Sequence, residues 1–378
     1  MTWPVSLQID AVDNGARTAR ALTAYRQFET PCFMPVGTRG TVRAVSMQDL
    51  EDIGFQVMLA NAYHLALRPG AEVIAAMGGI HSFSGWNGAV LTDSGGYQTR
   101  SLAPVVDDNG VNFRSVYDGS MIRLTPESAV AIQELIGADI QMVLDQCPSL
   151  PAPIEVVKEA MLRTVEWARR AKKAHKREDQ ALFGIIQGGI DLPMRLESVQ
   201  RTVECDFSGY AIGGLSVGEA HSEMLEVLEA TVSMLPEGRP RYLMGVGDPV
   251  SLLEAISFGV DMFDCVFPTR LGRHGTVLSE TGRYQLRRKE NALEQGPLDP
   301  SCHCSTCMRW SRGYLRHLLM VKEPTAWRLI SIHNLTWTNR LIIRAREAIR
   351  QGELSTLIKE VKEVWEMRDN GEGNPRNS

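Results

Sequence analysis

No run of apolar residues in this 378-residue sequence approaches the roughly 20 needed to span a bilayer. The opening stretch MTWPVSLQIDAVDNGAR has neither the basic start nor the apolar run of a secretory signal, so a cytoplasmic location is expected. No GxGxxG follows the first apolar run, so the phosphate-binding fingerprint of a doubly wound dinucleotide fold is missing. Positive charge is not in excess either. A net charge of −5 argues against a protein that coats nucleic acid indiscriminately. Cysteines are few and odd in number, seven in all. In a reducing compartment they read as buried thiols or metal ligands rather than disulfides.

The charge that is present is unevenly placed. Between Cys265 and Glu323 ten Arg/Lys face five Asp/Glu; from −5 overall and +5 there, the remainder carries −10. A basic segment on an acidic body suits one focused anionic partner, and a solvated helix face is the plain alternative.

Eight short apolar, β-rich runs recur along the chain: 32–37, 56–62, 89–94, 140–146, 182–188, 209–215, 241–247 and 260–267. They are continuous rather than alternating, as strands buried on both faces of a parallel sheet are. Helical periodicity fills most gaps, notably 154–175, 192–204, 219–234 and 249–258. Strands alternating with helices eight times over predict a (β/α)8 TIM barrel, with an open doubly wound sheet as the competitor. Segment 111–126 reads as an inserted hairpin with an Asp-Gly turn and a helix beginning near Thr125-Pro126. A second hairpin turns at Thr281-Gly282. The expected organisation is a barrel with an N-terminal extension over 1–270, a zinc-binding subdomain and C-terminal helices packed on the barrel over 271–366, and a disordered tail over 367–378.

Cys302, Cys304 and Cys307 offer three thiolates within six residues, and a histidine would close a tetrahedral zinc shell. His333 fits, on a helical segment after Leu329, although His317 also lies downstream. A complete protein shell leaves no place for water, so a structural ion is expected. The strand ends offer a different inventory: Asp93, Asp145, Gln187 and Asp264, with backbone amides near Gly213, Gly214 and Gly247. Three carboxylates without a lysine or histidine pair suit glycosidic chemistry, one as nucleophile at an anomeric carbon and another moving a proton on the leaving group. Each alone has a structural alternative: Asp93 or Asp145 as a cap, Asp264 as a partner for Arg270.

Taken together, the segments TPCFMPVGT (30–38), LTDSGGYQ (91–98), LFGIIQGG (182–189), YAIGGLSVGE (210–219), PRYLMGVG (240–247), DMFDCVFPTR (261–270), GPLDPSCHCSTC (296–307) and IHNL (332–335) resemble the bacterial-type tRNA-guanine transglycosylases, also called queuine tRNA-ribosyltransferases. The resemblance implies a pentosyltransferase that exchanges guanine at the wobble position of GUN anticodons (Asp, Asn, His and Tyr tRNAs) through a covalent aspartyl–ribose intermediate, in queuosine biosynthesis. It implies Asp264 as nucleophile, Asp93 as general acid/base, and Asp145 as acceptor from the guanine N1–H and amine. Gln187 and the Gly214 amide would donate to O6, and Tyr97 and Met244 would sandwich the base. Arg270 and Arg273 would hold neighbouring nucleotides, and the zinc ligands would be Cys302, Cys304, Cys307 and His333, one ion per chain. Cys147 and Val217 match the pattern of enzymes that take 7-aminomethyl-7-deazaguanine (preQ1), whose ammonium the Leu215 carbonyl and Glu219 would receive; queuine as incoming base, DNA as acceptor and a non-catalytic RNA-binding subunit are the alternatives. A homodimer formed partly around the zinc region is implied as well. Gln146, Ser216 and the pair Thr99-Arg100 depart from the family's usual residues.

Overall fold

In the computed structural model, residues 4–96, 102 and 104–369 are described, with side chains as far as Trp365. Each of the eight apolar runs holds one strand of a closed parallel barrel, and the strands stop short of several of the runs' polar ends. Three antiparallel strands come first: β1 (Val5–Asp13), β2 (Ala16–Thr23) and β3 (Gln27–Thr30). The barrel begins with β4 (Cys32–Gly37), β5 (Val57–Asn61) and β6 (Ala89–Asp93). A small antiparallel sheet then intervenes, β7 (Val105–Asp107), β8 (Gly110–Arg114) and β9 (Met121–Leu124). The barrel resumes with β10 (Ile140–Met142), β11 (Ala181–Ile186), β12 (Gly209–Ile212), β13 (Arg241–Leu243) and β14 (Met262–Cys265). Pairing of β14 with β4 and of β6 with β10 closes the ring. A last hairpin, β15 (Thr276–Ser279) and β16 (Gly282–Gln285), turns where the Thr281-Gly282 pair predicts.

The helices begin where side chains can satisfy their first amides. Thr125 accepts from the Ser128 amide ahead of Pro126–Ile136, Asp191 from Met194 ahead of Leu192–Val203, and Asp248 from Ser251 ahead of Pro249–Ser257. Their buried faces pack on barrel strands whose side chains are almost wholly enclosed, among them Met34, Met58, Val90, Ile140, Phe183, Ile212, Tyr242 and Phe263.

A second, smaller core forms from Val277, Leu286, Leu298, Leu315, Leu319, Leu329 and Ile330. The long helix Pro324–Gln351 belongs to both cores, since Ile332, Leu335, Leu341, Ile342 and Ala345 join the barrel's. Two differences from the sequence reading stand out. The N-terminal extension is a three-stranded sheet, and the inserted hairpin has a third strand, β7. Both are antiparallel pieces whose packing partners only the folded chain supplies. The expected tail beyond residue 369 lies outside the described residues.

Candidate active site

Parallel strands that share one direction deliver their C-terminal loops to one mouth of the barrel. Asp93 is the last residue of β6 and pairs in register with Asn61, the last of β5. The Asn61 amide donates to Asp93 Oδ2 at 2.7 Å, while the Ala62 and Gly95 amides donate to Oδ1 at 3.1 and 3.2 Å. Asn61 is itself oriented by accepting the His64 amide at 3.0 Å. Asp93 is thus bound to a turn, as its structural alternative predicts, yet it is only partly buried at the mouth.

On the opposite flank of the β4–β5 arc, Asp264 stands in β14. The Tyr242 hydroxyl donates to its Oδ1 at 2.6 Å and the Gly245 amide at 2.9 Å. Among the described residues none bonds Oδ2 and no cation pairs with this carboxylate, so the alternative of an Arg270 partner is not what forms. Asp145 lies on the loop after β10 and accepts from Gln187 Nε2 at 2.7 Å. Gln187 Oε1 is buried with no partner among the described residues.

Burial sets the protonation of all three aspartates, and for Asp93 the charges of the other two add to it. Burial pushes Asp93 up to about 7; the charges of Asp264 and Asp145 add to the rise, and the Ala62 and Gly95 amides oppose it. Burial raises Asp145 to about 6 against the Gln187 hydrogen bond. It raises Asp264 as well, and there the Tyr242 hydroxyl and Gly245 amide favour the anion. Acids poised near neutrality beside a third carboxyl group can pass a proton either way at working pH.

The loops after β11 and β12 complete the mouth. Gly214 has φ +68, a left-handed conformation, and a Cβ there would fall 2.3 Å from Gln187 Oε1. The left-handed backbone favours glycine, and a side chain there would have to displace the Gln187 amide. Between these loops lies Arg195, on the helix Leu192–Val203 and fully buried. Its Nη1 donates to the Ile186 and Gly213 carbonyls at 3.1 and 2.8 Å, and its Nη2 to Gly189 at 2.6 Å. Burial lowers it to about 10, so it stays charged at neutral pH.

Met244 is partly buried on the loop after β13. Tyr97, its expected partner, lies outside the described residues, as does Thr99-Arg100. The Glu219 carboxylate accepts from the Ser216 amide and from the Val217 amide, the latter at 3.0 Å, closing the turn after Leu215. Gln146 accepts from Arg163 Nη1 at 2.7 Å; that guanidinium also meets Asp108 and Glu159, which supply the negative charge an acid at 146 would otherwise bring. Arg270 is exposed and Arg273 partly buried on the helix Phe267–His274. Burial lowers Arg273, and the neighbouring guanidinium charges of Arg43 and Arg270 lower it further.

Far from these carboxylates in sequence, Cys302, Cys304, Cys307 and His333 bring their ligand atoms within 4.8 Å of one another, a cluster that could hold a metal ion. His333 Nδ1 faces the thiols, 3.2 Å from Cys307 Sγ and 3.8 Å from Cys304 Sγ. Its other nitrogen lies 2.8 Å from the Leu278 carbonyl, the outer contact that orients a ligating imidazole. His333 lies on Pro324–Gln351 as expected.

Sequence reasoning missed Asn61, Tyr242, Gly245 and Arg195. A signal existed for one of them: Arg195 falls in register with Val199 and Thr202 on the helix face that is buried.

The barrel and its acidic mouth define an enzyme of the glycosyl-transferring class. The sequence model of the family described as Queuine tRNA-ribosyltransferase matches residues 12–367. A queuine tRNA-ribosyltransferase of Thermus thermophilus is 47% identical over 359 residues, covering 94% of this chain and 93% of its own. Relatives of the same name from Desulforudis audaxviator and Solidesulfovibrio magneticus are 50% and 45% identical, over 90% and 97% of this chain and 93% and 99% of theirs. The chain belongs to the queuine tRNA-ribosyltransferase family, and is with it a pentosyltransferase. Among the described residues no helix is long and apolar enough to cross a membrane.

Proposed function

We propose that this protein exchanges guanine at the wobble position of GUN-anticodon tRNAs for preQ1, through a covalent bond between Asp264 and the ribose. The observation that carries the reading is Asp264 itself. Its Oδ1 is anchored by Tyr242 and Gly245, while Oδ2 has no described partner and stands at the mouth. Oδ2 attacks C1′ of the ribose, the C1′–N9 pair leaves with guanine, and Asp93 supplies the proton that makes the departing base neutral. The incoming base returns that proton to Asp93 as its nitrogen displaces the carboxylate, so the glycosidic bond is conserved without an external energy source. An acid near 7 serves both halves.

Asp145 receives the guanine N1–H and amine, Gln187 and the Gly214 amide meet O6, and Met244 with Tyr97 encloses the ring. For O6, the Gln187 amide turns away from Asp145. The unpaired anticodon loop lets the nucleotide leave its stack at little cost, and Arg270 and Arg273 hold the nucleotides beside it. The choice of preQ1 rests on Cys147, Val217 and the Glu219 turn. The Ser216 amide donates to Glu219, so the Leu215 carbonyl of the same trans peptide points the other way, toward an incoming ammonium.

The Cys302, Cys304, Cys307 and His333 set has the softness and number of donors for one structural zinc ion, tying the last hairpin to the long helix. Metal analysis is expected to return about one zinc per chain; a folded, metal-free protein would reject it. The cell compartment is the cytoplasm, the assembly a homodimer, and the barrel unit ends near residue 270. The nucleophile is tested by trapping. Wild-type protein and tRNA are expected to form an adduct that survives denaturant, and Asp264→Asn none; an undiminished adduct would remove Asp264 from the mechanism.

A further inference from the structure

A buried charge without a counter-ion is costly, and it persists where its hydrogen bonds are needed. Arg195 is such a charge. It is fully enclosed, no described carboxylate bonds it, the charge of Glu219 acts on it only without contact, and its Nε has no partner among the described residues. What it holds are three main-chain carbonyls: Ile186 and Gly189 on either side of Gln187, and Gly213 immediately before Gly214. In a trans peptide the C=O and the following N–H lie in one plane and point oppositely. Fixing the Gly213 carbonyl toward Arg195 therefore fixes the Gly214 N–H away from it. Among the described residues that N–H has no acceptor, and Gly214 is packed on Gln187, whose buried, unpartnered Oε1 a Cβ at Gly214 would meet at 2.3 Å.

We infer that Arg195 is a positioning residue for base recognition, its guanidinium clamping the β11 and β12 loops so that the Gly214 amide and Gln187 converge on one base oxygen. The clamp also polarises the Gly213–Gly214 peptide, because a carbonyl bonded to a cation makes the amide on its far side a stronger donor. As the C1′–N9 electron pair moves onto the leaving guanine, charge spreads to O6, where that amide stabilises it more than it stabilises the bound ground state. This inference rests on the reading of Gln187 and Gly214 as O6 donors.

The test compares guanine with 2-aminopurine, a base of nearly the same shape that lacks O6 and, with it, the N1–H; each base is therefore compared only with itself between wild type and variant. Arg195→Lys keeps a charge that reaches fewer carbonyls. It is expected to raise the guanine KM about 10-fold and lower kcat, while the inhibition constant of 2-aminopurine moves less than about 2-fold. A merely structural arginine would weaken both bases alike, and that result, or no change for either, overturns the inference. Arg195→Gln, neutral and easier to bury, carries the same comparison should the lysine variant not fold. In wild-type protein, hydrogen exchange at the Gly214 amide is expected to slow with guanine and not with 2-aminopurine; equal effects would also overturn it. Wild-type protein that transfers no labelled guanine into tRNA would fail the functional reading itself, and is told apart by that control.

Discussion

Strands β10 and β14 each have an aspartate just before them, Asp139 and Asp261, and another toward the mouth, Asp145 on the loop after β10 and Asp264 within β14, and the two ends behave as opposites. At the lower end, Asp139 and Asp261 are buried and surrounded by cations. Asp261 takes Arg17 in a two-pronged pair at 2.9 and 2.6 Å and also the Arg241 amide at 2.8 Å. Asp139 meets Arg26 at 3.1 Å, His81 at 3.0 Å and the Val90 amide at 2.8 Å. Burial pushes Asp139 up, but the His81 hydrogen bond and charge, the Val90 amide and Arg26 outweigh it and leave the carboxyl below its ordinary value. At the upper end Asp145 and Asp264 receive only neutral donors, and both are raised. The same side chain is paired with cations at one end and, with only neutral donors among the described residues, raised in proton affinity at the other.

The comparison can be broken from below first. Asp261→Asn leaves the buried Arg17 guanidinium without its carboxylate, held only by the Glu237 and Arg239 carbonyls. It is expected to cost about 3–5 kcal/mol in denaturant unfolding, while the folded fraction keeps its turnover number. A stable but inactive variant would show the lower end taking part in the chemistry.

Above, the opposite sign is expected. Asp264→Asn keeps an oxygen for both Tyr242 and Gly245 and removes the like charge beside Asp93. A carboxyl raised above its ordinary 3.8 in the folded state burdens stability only above that pH, and increasingly so as pH climbs toward the folded value. The asparagine variant is therefore expected to gain about 0.5–2 kcal/mol at pH 8, shrinking to nothing near pH 4. Carboxyl NMR is expected to show Asp93 falling below about 7 in that variant. Destabilisation at pH 8, or an unmoved Asp93, would mean that the two carboxylates are not coupled.

Reading these sites from sequence succeeded unequally, for physical reasons. Asp93, Asp145 and Asp264 were legible because each follows an apolar run, where a charge cannot belong to the core of a two-sided strand. The cysteine cluster was legible because its spacing is local. Asn61 and Tyr242 were not, since each meets its aspartate across a neighbouring strand, and which strands are neighbours is decided by closure of the ring. Arg195 showed only as a cation in a buried helical register, with nothing to say what it touches. The β1–β3 sheet was missed although its strands are long. Polar and apolar residues are mixed on both faces, with Ile9 and Val12 exposed on β1 and Arg17 and Thr18 buried on β2, so the pattern carries no mark of which face lies inward.

Local pattern alone determined the alternation of strand and helix, the eight barrel strands in order, the hairpin at Thr281-Gly282 and the set of metal-binding side chains, because apolar periodicity and short-range spacing act within a few residues. Tertiary structure alone decided which aspartates lost their counter-ions, since that depends on groups more than a hundred residues distant, such as Arg17 for Asp261 and Arg26 for Asp139. Proton affinity in a buried carboxyl follows from the charges packed around it, and those are known only once the barrel has closed.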